Sequence, residues 1–241
     1  MAAFGTRRTP SVLVPRADEE SCPVHPPRYT TFVLLDDLSS PEAIRLHARL
    51  SSHLFTATGK GVDPDAMARL ERDGVLYRVI PGVYLGAQHA RHPLVEAAAW
   101  VMRHPRTVVG LLTAAVYHDL VDAFARGTWL FVPLGCSVPR SRVVQVHVVQ
   151  TALKFVDPAL DAENGIGTIQ VHGIDVRITD PDRTTLDLWR YPRRISSEHA
   201  IEALRRRVRA KGFEMPRFAR LARRLNVWDR VERIVQGLAL R

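Results

Sequence analysis

The sequence predicts an α+β protein, with a small N-terminal winged helix-turn-helix followed by a larger mixed α/β domain that ends in a helical, basic C-terminal region. Three observations predict it. Two helix starts, Ser40-Pro41-Glu42 and Asp63-Pro64-Asp65, precede a run of strand formers around Pro81-Gly82. Strand and helix patterns then alternate from Pro93 to Ile178. From Asp180 onward the apolar residues keep a helical period, and basic residues accumulate.

Residues 1–28 carry five prolines, mixed charge and no periodicity, and read as a flexible leader. Residues 29–88 read as the winged helix-turn-helix domain. Tyr29 to Leu38 is apolar enough for a short element of unassigned type. Ser40 suits a helix cap, Pro41 the first helical position and Glu42 the positive end of the helix dipole. Ile44, Leu46, Leu50 and Leu54 give this helix a rough apolar face, and Gly59-Lys60-Gly61 breaks it. Asp63-Pro64-Asp65 starts a second helix by the same logic, with Met67 and Leu70 on one face and Gly74 as its C′ residue. Val75–Val79 and Val83–Leu85 are strand formers flanking a Pro-Gly turn. Helix, break, helix and hairpin is the element order of a winged helix.

Residues 89–241 read as the C-terminal α+β domain. Pro93 to His104 is helical, with Leu94, Ala97, Ala98 and Val101 on one side. Val108 to Tyr117 reads as a buried helix whose Val-Val start also fits a strand. Thr128–Pro133 and Val143–Val149 are strand candidates. Ile166 to Ile178 is a hairpin that turns at His172-Gly173. Asp180-Pro181, Ser196 or Ser197, and Pro216 each start a helix, and a last helix runs from about Val227 to Leu240.

Charge is segregated along the chain. The formal net charge is +9; residues 183–241 hold 16 basic and 6 acidic residues, a net of +10, and the rest is close to neutral. A local basic excess points to a polyanion partner. Candidate polyanion contacts are Arg205, Arg206, Arg209, Lys211, Arg220, Arg223 and Arg224. A solvated helix face is the competing reading. In the winged-helix part, Lys60, Arg69, Arg72 and Arg78 are the candidate DNA contacts. Residues 41–85 have a net charge of only +1, so that unit reads either as a groove reader or as a scaffold for protein contact.

Several classes are set aside. The longest apolar run, Val108 to Val116, falls well short of the roughly 20 residues that span a bilayer. Arg7 and Arg8 precede no continuous apolar segment, so no secretory signal is read, and a cytoplasmic, nucleoid-associated protein is expected. Cys22 and Cys136 could pair, but reduced thiols are the simpler reading. Cys22-Pro23-Val24-His25 lacks a second ligand pair at zinc-like spacing, so no metal and no cofactor is expected. No nucleophile elbow, P-loop or dinucleotide fingerprint occurs. Asp175, Asp180, Asp182 and Asp187 are the one acidic group that a metal-dependent nuclease would use. Asp180 and Asp182 fit helix starts better, and no enzyme activity is expected.

Five segments, taken in order, resemble the AbiEi antitoxin family of type IV toxin–antitoxin systems. They are Leu70 to Tyr84, ending in Gly82-Val83-Tyr84; Val109 to Leu120; Trp129 to Pro133; Gly173 to Ile178; and Asp180-Pro181-Asp182-Arg183-Thr184-Thr185-Leu186-Asp187 with the Glu202-Ala203-Leu204 helix after it. The resemblance covers about residues 62–238. Thr113 stands where the family usually has Ser, Asp119 where it has Gly, and Arg183 where it has Lys. What the resemblance implies is a winged-helix repressor of its own operon that binds an inverted-repeat operator as a monomer or weak dimer. It also implies a C-terminal domain that counters a nucleotidyltransferase-type toxin, directly or indirectly, in abortive phage infection.

Overall fold

A computed structural model describes residues 40–56, 63–123 and 126–239. The leader, the 29–38 segment and Lys60 lie outside the described residues.

Ser40 Oγ accepts the Ala43 N–H at 3.1 Å and opens α1 (Pro41–Leu50). A two-residue strand β1 (Phe55–Thr56) follows, and then α2 (Pro64–Arg72), whose Asp63 carboxylate accepts the Asp65 N–H at 3.0 Å. Strands β2 (Leu76–Ile80) and β3 (Val83–Gly86) pair antiparallel around Pro81-Gly82, and β1 pairs on the far side of β3, giving the order β1-β3-β2. Gly82 sits at φ +80°, which the tight turn requires and which an L side chain resists.

The apolar face expected for α1 is corrected in part. Ile44 and Ala48, one turn apart, are its buried stripe, whereas Leu46 and Leu50 are 58% and 76% exposed. The helix stops at Leu50, so Leu54 lies beyond it, in the link to β1. Two residues along a helix turn a side chain by about 200°, so Leu46 and Leu50 leave the stripe that Ile44 begins.

The second part begins with α3 (Val95–Arg103), β4 (Val108–Val109) and α4 (Leu111–Tyr117). The stretch from Val108 is thus both of its readings: a short strand, then a helix, parted at Gly110, where a Cβ would collide with the Phe131 ring. Strands β5 (Thr128–Pro133) and β6 (Val146–Thr151) come next, then α5 (Asp161–Asn164), β7 (Ile166–Val171) and β8 (Ile174–Thr179). The five-stranded sheet has the order β6-β5-β4-β8-β7, with β5–β6 and β4–β8 parallel and the other pairs antiparallel. His172 and Gly173 have φ of +48° and +81°, the pattern of a two-residue I′ hairpin. Helices α6 (Pro181–Arg190), α7 (Ser197–Arg209), α8 (Met215–Arg224) and α9 (Trp228–Ala239) complete the chain, capped at Asp180 and Ser196 for the first two.

The main core joins the two parts. Val79, Ile80, Val83 and Leu85 of the β2–β3 hairpin pack with α3, with Leu54, and with Val171, Ile174, Val176 and Ile178. On the opposite face of the hairpin, Leu76 and Tyr84 pack against Ile44 of α1 and Met67 and Leu70 of α2. In β3 the period-2 alternation of Val83, Tyr84 and Leu85 serves two cores. A register shift between Arg78 and Ile80 of β2 puts both Val79 and Ile80 in the main one, and a single cluster crosses the expected boundary between residues 88 and 89. A third cluster ties α6 to α9 through Leu186, Leu204, Phe218 and Val231. Cys136 is disulfide-bonded, which corrects the expectation of reduced thiols.

Candidate nucleic-acid interface and the buried polar hub

α2 buries Ala66, Met67 and Leu70 and leaves Asp65, Ala68, Arg69 and Arg72 exposed along one stripe. The spacing i, i+3, i+4, i+7 puts these four on a single face. Arg69 lies 3.5 Å from the Asp63 carboxylate at the head of its own helix. Arg72 donates from Nε to the Ala68 carbonyl at 3.3 Å. Arg78, on β2, points Nε at Glu71 at 3.4 Å. The three cations thus share the outer side of the α2–β2 unit, and two of them have a carboxylate beside them. These pairs are solvent-exposed and hold their side chains only weakly. The hairpin turn is itself anchored, because Arg103 of α3 donates to the Pro81 carbonyl at 2.9 Å.

The basic tail is less free than its charge suggests. Arg206 of α7 meets Asp119, Asp122 and Glu202. A hydrogen bond from Arg206 and its charge hold the Asp122 carboxyl below the usual carboxylate range. Arg224 lies 3.0 Å from Glu163 and donates to Asn164 Oδ1 at 2.9 Å. Arg223 stacks over the Trp228 ring. Arg205, Arg209, Lys211 and Arg220 are exposed and form no ion pair among the described residues. Arg205, Arg206 and Arg209 line a cleft of about 930 Å³ between the end of α4 and the face of α7, with His118, Asp119, Glu198 and Glu202. Three arginines and three carboxylates balance there. Burial pulls His118 below the ordinary imidazole range, against the opposing pull of its bond to the Thr179 carbonyl at 2.8 Å.

The segment Asp180 to Asp187 is the densest polar constellation, and sequence reasoning read only its outer shell. Asp180 caps α6 by accepting the Arg183 N–H at 2.8 Å, as its position before Pro181 predicts. Its other oxygen takes Arg217 of α8. Asp182 is fully buried and accepts Arg207 Nε at 2.5 Å and Arg217 Nη1 at 2.6 Å. Burial lowers Arg217, but Asp180 and Asp182 outweigh it and raise it overall. Arg183 donates to Asp187 at 2.6 Å and to the Asn164 carbonyl at 2.9 Å, and Arg190 takes the second Asp187 oxygen at 2.8 Å. Asp175 instead accepts from Gln170 on the paired strand. Among the described residues no group of acids, histidines or cysteines is arranged to hold a metal ion. Of the four acids that a nuclease could use, Asp180, Asp182 and Asp187 are taken up by arginines, and Arg207 and Arg217 pin α7 and α8 onto α6. The i, i+4 spacing of Arg183 and Asp187 is a visible sequence signal for one of these pairs; nothing local marks Arg207 or Arg217.

No family model matches the chain, and no curated protein matches it. Among solved structures there is a likeness. The chain resembles in fold the RV2827C protein from Mycobacterium tuberculosis. That crystal structure superposes with a TM-score of 0.55 over 81% of this chain and 75% of its own, at 17% sequence identity. At that identity the likeness is one of fold. Among the described residues no helix is long and apolar enough to cross a membrane.

Proposed function

We propose that the protein is a DNA-binding regulator with antitoxin activity, of the type IV kind, that represses its own operon and counters a nucleotidyltransferase-type toxin. The N-terminal unit acts as the winged helix and α2 as its reading helix. The observation that carries this reading is the exposed stripe Asp65, Ala68, Arg69 and Arg72 on α2, followed at once by the hairpin that carries Arg78. Arg is the side chain best suited to guanine edges and phosphates. Few cations lie there, so the exposed tail residues Arg205, Arg209, Lys211 and Arg220 supply much of the phosphate affinity. The test is anisotropy titration of DNA from upstream of the gene at several salt concentrations. Specific binding weakens steeply with salt, and Arg69→Ala with Arg72→Ala removes the preference over scrambled DNA. Equal affinity for both DNAs at physiological salt overturns the regulator reading.

A second reading has its own support: an antitoxin that works by protein or RNA contact without reading DNA. Arg69 and Arg78 already sit beside carboxylates, and the charge-balanced cleft between α4 and α7 suits a mixed-charge protein surface. Growth rescue against the co-expressed toxin that survives the Arg69/Arg72 double change supports this reading.

A further inference from the structure

Histidines gather where residues 40–56 meet the rest of the chain. His172, the first residue of the β7–β8 turn, holds the loop before β1 by two contacts and meets His92 by a third. Its carbonyl accepts the Leu54 N–H at 3.0 Å. Its Nδ1 lies 2.7 Å from the Ser52 carbonyl oxygen. Its Nε2 lies 3.4 Å from the backbone N–H of His92. A carbonyl oxygen only accepts, so Nδ1 carries the proton; an N–H only donates, so Nε2 is bare. His92 is constrained in the opposite sense. The Leu94 N–H points at its Nδ1 at 3.1 Å, so that nitrogen is bare and Nε2 carries the proton. His53 lies over Gly173, its Cδ2 2.5 Å from where a Cβ would stand. His47 is half-buried edge-on to Phe55, its two ring nitrogens out of solvent and without a hydrogen-bond partner among the described residues.

We propose that this seam is a pH-sensitive joint, in which neutral His92 and His172 clasp residues 51–54 to the β7–β8 turn and their protonation releases the clasp. The argument is one of donors and acceptors. A proton on His172 Nε2 turns an acceptor into a donor that faces the His92 N–H. A proton on His92 Nδ1 does the same to the Leu94 N–H. It also sets a positive charge at the N-terminus of α3, the positive end of that helix dipole. Leu54, whose side chain is buried in the main core, hangs from the same clasp.

The surroundings support neutrality. From the linker, His89 donates Nε2 to the Ala48 carbonyl at 2.9 Å, a bond that survives protonation, and Arg91 stacks over Tyr77. From α4, the Tyr117 ring lies 6.0 Å from the His92 ring. From the hairpin, Asp175 is taken up by Gln170. From α1, His47 faces Phe55, and His53 is the charge that acts on it. Burial first, and the neighbouring His172 second, lower His92 below the ordinary imidazole range; burial and then His53 do the same to His47.

The test is amide hydrogen exchange in the full chain at pH 7.5 and 5.5, with the intrinsic chemical rate divided out. The Leu54 and Leu94 amides open several-fold more at the lower pH, because the opened seam binds protons that the closed clasp excludes. Amides in the β5–β6 pairing gain nothing. In a His92→Asn/His172→Asn variant the gain disappears, because Asn offers a non-titrating acceptor and tolerates the left-handed turn position. A pH-independent native seam, or a gain that persists in the variant, overturns the proposal. Nitrogen-15 NMR of the native protein at pH 7.5 gives a second check that requires no variant. It shows bare Nδ1 on His92 and bare Nε2 on His172, and the opposite tautomers also overturn the proposal.

Discussion

Arg183 and Asp187 lie one turn apart on α6, with Nε 2.6 Å from Oδ2, and neither side chain reaches solvent. Removing one partner of a buried pair strands the other charge and costs about 3–5 kcal/mol. Asp187 strands two, because it also holds Arg190. Asp187→Ala is therefore expected to lower the urea midpoint more than Arg183→Met at unchanged m-value. The double change Arg183→Met/Asp187→Leu is expected to cost less than Asp187→Ala alone.

Arg183→Lys is the milder probe. Among the described residues Arg183 Nη2 has no acceptor, so part of the fork is idle. A lysine keeps the charge beside Asp187 and gives up the Nη1 bond to the Asn164 carbonyl. The expected loss is about 1–2 kcal/mol, near the value of one buried hydrogen bond to a charged group, and equilibrium denaturation reads it.

Much of the local structure was legible in the sequence. Asp63-Pro64 and Asp180-Pro181 announce the helices they cap, and His172-Gly173 announces its turn, because each signal acts within four residues. The polar hub was not legible. Asp182 meets Arg207 and Arg217, which lie 25 and 35 positions away, and a charge count cannot tell a solvated arginine from one folded onto a carboxylate. Six of the tail's arginines (183, 190, 206, 207, 217 and 224) are held in this way. The same limit misplaced Leu46 and Leu50: an apolar residue on a helix reads as core until the neighbour that covers it is known to lie on another face.

Asp119 follows the C-cap of α4 at φ +56°, the left-handed region. The position where the resembling family carries Gly thus has the backbone that Gly favours. Asp119→Gly is expected to raise stability modestly, since it relieves a left-handed strain of up to about 1–2 kcal/mol, part of which the greater freedom of glycine in the unfolded chain offsets. The lost pair with Arg206 offsets little, since Asp119 is 90% exposed and Arg206 keeps Asp122 and Glu202. Asp119→Ala removes the same pair without relieving the backbone. The expected order of melting temperatures is Gly above Asp above Ala.

Gly173→Ala tests the joint from the other side. The residue sits at φ +81°, and a Cβ there would stand 2.5 Å from His53. Left-handed strain alone costs about 1–2 kcal/mol, and the methyl also pushes His53 off the turn. Calorimetry is expected to show a loss above that range. The Leu54 amide is expected to lose protection before the β5–β6 amides do. A loss spread evenly over both sheets would place the damage in global stability and not in the seam.

The pH dependence of stability follows from four histidines. His47, His92, His104 and His118 are all held below the ordinary imidazole range, in each case chiefly by burial. A group whose folded pKa lies below its unfolded value of about 6.5 binds more protons when the chain unfolds. Unfolding free energy therefore rises with pH up to about 6.5 and levels off above it. Between pH 8 and 7 the melting temperature is expected to change little, and between pH 6.5 and 5 it falls steadily. Asp122, held low by Arg206, adds its loss only further down, in the carboxylate range. Melting curves of the native chain and of His92→Asn separate the contributions. The variant shows a shallower slope below pH 6.5 and an unchanged plateau, and a native profile that is flat from pH 8 to 5 would contradict the neutral-histidine seam.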